Sequence, residues 1–141
     1  MSKVGIFYWS GTGNTEEMAN AVADGVREKG AEATLVAAAD LNAAMVDEYD
    51  AIAFGCPAMG AEALEEDEFE PAFNDCLPKL RGKKIALFGS YGWGDGEWMR
   101  NWEDTCRDAG AVLVTESVTC LENPDDEGVS ACKALGAALA E

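Results

Sequence analysis

Histidine is absent from the 141 residues, and Lys and Arg number only 10 against 27 Asp and Glu, a formal net charge of −17. Without histidine the usual general base near neutral pH is missing, and with it the Ser-His and Cys-His nucleophiles and the commonest zinc ligand. Hydrolytic chemistry is thereby disfavoured. The acidic excess opposes the phosphate contacts on which nucleic-acid binding depends and repels anionic membrane surfaces, leaving a basic protein surface as the better partner. Five cysteines (Cys56, Cys76, Cys106, Cys120, Cys132) form no CxxC and no spacing typical of a metal site, so buried free thiols in a reducing compartment are expected and a bound metal is not. No apolar run reaches membrane-spanning length, and no basic segment followed by an apolar stretch and cleavage site opens the chain, so a cytoplasmic location is expected.

What is present is an alternation. Val4 to Tyr8, Ala33 to Val36, Ala51 to Gly55, Ile85 to Gly89 and Val112 to Val114 read as strands, nearly continuous in apolarity as strands covered on both faces are. Between them Met18, Ala21, Val22 and Val26 share one helical face, as do Trp98, Trp102, Cys106 and Ala109, while Val129, Cys132, Leu135 and Leu139 close the chain. Weaker helical patterns run around Leu41 to Glu48 and from Phe69 to Leu80, the latter limited by Pro71 and Pro78. Five βα units in succession predict a parallel sheet with helices on both faces, a doubly wound α/β domain occupying residues 1–141. Ligands in such sheets sit beyond the carboxyl ends of the strands where the strand order reverses.

Three loops lie at those ends. After the first strand, Ser10-Gly11-Thr12-Gly13-Asn14-Thr15 runs straight into a helix. Glycines allow close backbone approach, successive N–H groups and the helix N-terminus favour an anion, and the hydroxyls add donors. The segment lacks the lysine of a nucleotide-triphosphate loop and the GxGxxG spacing of dinucleotide folds. After the third strand comes Cys56-Pro57-Ala58-Met59-Gly60-Ala61-Glu62: a polarizable methionine, a glycine able to take positive φ, and a carboxylate able to accept from a heterocycle N–H. After the fourth, Ser90-Tyr91-Gly92-Trp93-Gly94-Asp95-Gly96 sets two aromatics among three glycines, a platform for stacking a ring. Together they offer a phosphate end, an aromatic cover and a hydrogen-bonding edge.

SGTGNT, the GCPAMG loop ending in Glu62, and LFGSYGWGDGEWM at 87–99 resemble, in order and spacing, the three flavin loops of clostridial-type short-chain flavodoxins. The resemblance implies a flavodoxin-like three-layer αβα sandwich with a five-stranded parallel sheet of order 2-1-3-4-5 and a noncovalent FMN. Ser10, Thr12, Asn14 and Thr15 with the amides of Gly11 and Gly13 would surround the phosphate, Trp93 and Met59 would cover the two ring faces, and Glu62 would accept from N3–H. The Gly60 carbonyl would meet N5, and the backbone around Gly92 would serve the pyrimidine edge, within a set that also includes Pro57, Ala58, Ala61, Ser90, Tyr91 and Gly94. Ala61 stands where relatives often carry Asp, and Pro57 where some carry a hydroxyl. The implied duty is a low-potential carrier shuttling single electrons, on the semiquinone/hydroquinone couple, between ferredoxin-type oxidoreductases, as a monomer and not an enzyme. The alternative is an FMN-dependent quinone or NAD(P)H reductase on the same fold, against which stand the short chain and the missing histidine. A receiver-type signalling module would need Asp at the end of strand three, where Gly55-Cys56 stands, and Lys at the end of strand five, where Glu116-Ser117 stands.

Two further expectations concern particular residues. In the Met59-Gly60-Ala61-Glu62 turn, a Cβ at Ala61 disfavours the type II form, so Ala61→Gly should lower the potential for uptake of the first electron. Eight basic residues, Lys3, Arg27, Lys29, Lys79, Arg81, Lys83, Lys84 and Arg107, fall near strand starts or helix ends, whereas Glu62, Glu65, Glu66, Asp67, Glu68, Glu70, Asp95, Glu97, Asp125, Asp126 and Glu127 fall at the opposite pole. Charge runs are usually plain solvated faces, but this polarity would turn the ligand end toward a basic partner.

Overall fold

The structure is a computed structural model that describes residues 3–9, 13–57, 68–91, 97–121 and 124–140. Strand β1 (Lys3–Tyr8) pairs in parallel with β2 (Glu32–Ala37) on one side and β3 (Ala51–Gly55) on the other; β3 then pairs with β4 (Lys84–Tyr91), and β4 with β5 (Val112–Leu113). The order β2-β1-β3-β4-β5 is the one expected. Helices α1 (Asn14–Glu28) and α4 (Asp126–Ala140) cover one face, and α2 (Phe69–Cys76) and α3 (Glu97–Asp108) the other.

The alternation of strand side chains explains why the two faces differ. On the α1/α4 face β3 and β4 present Ala51, Ala53 and Ala86, with Phe88 further along β4, and on the α2/α3 face Ile52, Phe54, Ile85 and Leu87, all without solvent exposure. Small residues let α1 and α4 lie close, and the two helices meet through glycines: a Cβ on Gly25 would fall 2.0 Å from the Lys133 carbonyl oxygen, and one on Gly136 2.1 Å from that of Val22. The opposite layer is aromatic. Phe54 meets Phe73 edge-on at 5.1 Å between centroids, and Trp102 meets Phe69 and Phe73 edge-on at 5.5 and 5.7 Å, all preferred quadrupolar geometries.

Three expectations are revised. The segment around Leu41 to Glu48 is not an α-helix: 3₁₀ turns at Ala38–Asp40 and Ala43–Glu48 make the β2–β3 crossover, with Val46 as the buried anchor of the longer one. Four α-helices are therefore described, not one per strand. The Phe69 to Leu80 helix ends at Cys76 and tightens into a 3₁₀ turn over Leu77–Lys79, because Pro78 has no N–H to give the Asn74 carbonyl. The fifth strand is longer than expected and interrupted. After Val112–Leu113 the chain rejoins the same edge of β4 as β6 (Val118–Leu121), so that Ile85↔Leu113 is followed by Phe88↔Val118. Three steps along β4 face five along its partner, a two-residue excess that forms a bulge. Polar Thr115, Glu116 and Ser117 hide this continuation in the sequence, and Ser117 is held by its hydroxyl donating to Glu103 Oε2 on α3 at 2.6 Å.

Candidate functional site

The strand order reverses beside β1, between its exits to β2 and β3, and there the carboxyl ends of β1, β3 and β4 converge at Tyr8, Gly55 and Tyr91. The ladder runs on past the strands: Trp9 N–H donates to the Gly55 carbonyl at 3.0 Å, and Cys56 N–H to that of Phe88 at 3.2 Å. Close packing fixes this edge. The Phe88 ring occupies the space a Cβ on Gly55 would need, at 2.2 Å, and a Cβ on Gly89 would meet the Cys56 carbonyl oxygen at 2.2 Å.

Helix α1 opens onto the same edge. Its N-cap is Gly13, which has no side chain of its own to cap the helix and stands at φ 96°, a left-handed conformation that glycine takes without a Cβ penalty. The first bond of α1 runs from Glu17 N–H to the Gly13 carbonyl at 3.0 Å. The amides of Asn14 and Thr15 precede it and have no helical carbonyl to receive them, which together with the helix dipole makes an anion seat. Glu16 and Glu17 in the first turn are exposed and share that positive end of the dipole. Beneath the turn, Thr15 Oγ1 and Ser90 Oγ lie 3.0 Å apart, with the residues 1 % and 4 % exposed.

Of the residues singled out from the sequence, Gly13, Asn14 and Thr15 thus stand at the start of α1, Ser90 and Tyr91 end β4, and Pro57 follows Cys56 beyond β3, half-buried. Ser10, Gly11, Thr12, Ala58, Met59, Gly60, Ala61, Glu62, Gly92, Trp93 and Gly94 lie outside the described residues, as do the turn around Ala61 and the acidic Glu65, Glu66, Asp67 and Asp95. Two residues were missed. Trp9 Nε1–H donates to Glu68 Oε1 at 3.0 Å, bridging the first loop to the start of α2 across 59 residues. A tryptophan just before a glycine-rich loop was the available signal; the position of its partner was not in the sequence. Tyr8 is the other: burial first, and then the Glu16 carboxylate, push its phenol pKa up, so its O–H stays a donor well past neutrality.

All five cysteines are buried and free, as expected. Burial, reinforced by Glu103, raises the Cys106 thiol to about 12; burial with the neighbouring Cys120 does the same for Cys132, and burial with Asp75 raises Cys76 to about 11. Among the described residues no group of His, Cys, Asp or Glu could hold a metal, and no helix is long and apolar enough to cross a membrane.

The basic residues gather at one pole but share it with acids, Arg27 lying 4.0 Å from Asp24 and Arg107 3.6 Å from Asp104. Lys3, Arg27, Lys29, Lys79, Arg81, Lys83, Lys84 and Arg107 sit at strand starts and helix carboxyl ends, where Lys79 pairs with Asp47 at 2.6 Å and Lys83 Nζ donates to the Tyr49 carbonyl at 2.7 Å. Glu68, Glu70, Glu97, Asp125, Asp126 and Glu127 crowd helix starts at the other pole, where Asp125 caps α4 by accepting Gly128 N–H at 2.8 Å.

The comparisons agree with this geometry. A protein-family model described as Flavodoxin matches residues 6–136. The flavodoxin of Megasphaera elsdenii is 48 % identical over 138 residues, covering 98 % of both chains, and that of Clostridium beijerinckii 45 % identical over 135 residues, covering 96 % of this chain and 97 % of the relative. The solution structure of the two-electron reduced M. elsdenii protein superposes with a TM-score of 0.90 over 97 % of this chain and 98 % of that one, at 49 % identity. A glycine-capped helix start at the switch point of a 2-1-3-4-5 sheet, the loop sequences around it and relatives matched over nearly their whole length agree on one conclusion: the chain belongs to the flavodoxin family.

Proposed function

We propose that this chain passes single electrons at low potential between soluble redox proteins, docking them at the acidic pole from which the carboxyl ends of β1, β3 and β4 emerge. As a flavodoxin it is an FMN-binding electron carrier. The bound FMN supplies the redox chemistry; the chain binds it, orients it and governs what reaches it.

The observation that carries the reading is the convergence of the α1 start at Gly13 with a buried hydroxyl pair at the sheet's switch point. That donor set fits a phosphate monoester: amides at a helix N-terminus and hydroxyls, with no basic side chain required. Asn14 and Thr15 with Ser10, Thr12 and the amides of Gly11 and Gly13 would hold the phosphate. Trp93 and Met59 would cover the ring, Glu62 would accept from its N3–H, and the Gly60 carbonyl and the backbone at Gly92 would complete its edges. Pro57, Ala58, Ala61, Ser90, Tyr91 and Gly94 frame these contacts.

Segregated charge supports a basic partner surface of the ferredoxin-oxidoreductase kind, since a dipole of this sense orients the acidic end during approach. A monomer in the cytoplasm, folded as one domain over 1–141 and without substrate turnover of its own, completes the proposal.

The test is anaerobic reduction of the FMN-loaded protein in small steps with visible spectra recorded throughout. A long-wavelength species that rises to one electron per flavin and then falls is expected. Bleaching directly by two electrons would overturn single-electron duty.

A further inference from the structure

Among the described residues, Thr15 and Ser90 are the two buried hydroxyl side chains, and they are bonded to one another across 75 positions of sequence. Two hydroxyls carry two hydrogens, of which only one can lie between the oxygens. The pair therefore always has one hydrogen to donate elsewhere, and a buried donor without an acceptor is costly. Thr15 stands in the first turn of α1, beside the amides that precede the helix's own bonds. Ser90 has no such outlook: its backbone is fixed in register with Cys120 of β6, and the preceding Gly89 is pressed against the Cys56 carbonyl.

We propose that Ser90, although it belongs by sequence to the aromatic loop, serves the phosphate end of the site through Thr15. Ser90 Oγ–H donates to Thr15 Oγ1, which leaves the Thr15 hydrogen as the one that is given to the anion. A hydroxyl that already accepts a hydrogen bond is polarised into a better donor, and its rotor is set before the ligand arrives. Ser90 is a positioning residue for the phosphate, and the ring is held without it. The inference rests on the FMN reading above.

The experiment compares FMN with riboflavin, which has the same ring and no phosphate, by titrating both into the apoprotein and following flavin fluorescence. Ser90→Ala should weaken FMN binding by roughly two- to tenfold, the range of one hydrogen bond, and leave riboflavin binding unchanged. Ser90→Thr, which keeps the hydroxyl, should restore FMN affinity, and Ser90→Ala should cost nothing more in a Thr15→Val background. Equal losses for the two flavins, or losses that simply add in the double variant, would overturn the proposal. Thermal unfolding of each apoprotein checks its fold; if Ser90→Ala does not fold, Ser90→Cys, a similar volume with a weaker donor, is put to the same comparison. Failure of the unsubstituted protein to take up FMN would instead overturn the reading on which the inference rests.

Discussion

Gly25→Ala sets two well-understood effects against each other. Gly25 lies inside α1, where alanine is favoured over glycine by about 1 kcal/mol, so helix propensity alone predicts a more stable protein. The α1–α4 crossing predicts the reverse. The new Cβ would stand 2.0 Å from the Lys133 carbonyl oxygen and 2.7 Å from the carbonyl carbon and Cα of the same residue. A comfortable carbon–oxygen approach is roughly 3.3 Å, so the helices must separate by about an ångström, and because the obstacles are backbone atoms no rotamer change relieves them. Overpacking costs about 1 to 3 kcal/mol where side chains can adjust, and the rigid case lies at or beyond the top of that range. The net expectation is a loss of about 2 kcal/mol, which for a chain of this length is a fall of roughly 6–10 °C in Tm. Urea unfolding of the apoprotein should show a lower midpoint with an unchanged slope. Asn20→Ala, on the exposed side of the same helix, is the control and should hold or raise Tm. A Gly25→Ala protein as stable as the parent would refute the reasoning, because propensity would then have outweighed the crossing.

The buried thiols make stability fall in alkali. Their pKa values are raised in the folded protein, from 9.0 to about 11 for Cys76 and about 12 for Cys106 and Cys132, so the unfolded chain loses protons first. The stabilisation is complete below about pH 9 and is lost as pH rises toward 11–12, at about 1.4 kcal/mol per thiol per unit within that window. Urea midpoints between pH 8 and 10.5 should decline, and Cys106→Ala should flatten the decline; a level profile in the parent refutes it. At the acidic pole, Glu127→Lys should slow electron transfer to a basic partner several-fold at low ionic strength and weaken its salt dependence, while Arg81→Glu at the far pole should change neither. Stopped-flow rates across a salt series decide this, and equal effects of the two reversals would remove the case for an oriented approach.

Local pattern was enough for much of this protein. The buried runs at Val4 to Tyr8 and Ala51 to Gly55, the helical faces of Met18–Val22–Val26 and Trp98–Trp102–Cys106, and the glycine-rich entry to α1 are written in neighbouring residues, because strand and helix periods and turn chemistry act over short spans. The strand order came from the resemblance of the three loops, the alternation of elements giving only a parallel, right-handed sheet. Where the reading failed the cases differ: Ser117, tied to Glu103, holds polar residues within an interrupted fifth strand, and the crossover at Ala43–Glu48, anchored by Val46 alone, closes as a 3₁₀ turn. Only the tertiary structure joined Trp9 to Glu68 and Thr15 to Ser90, and only there did Gly25 and Gly136 become the crossing of two helices. Such pairings depend on how whole elements dock, and side-chain hydrogen bonds and carbonyl contacts across 59 to 114 positions leave no periodic trace in the chain.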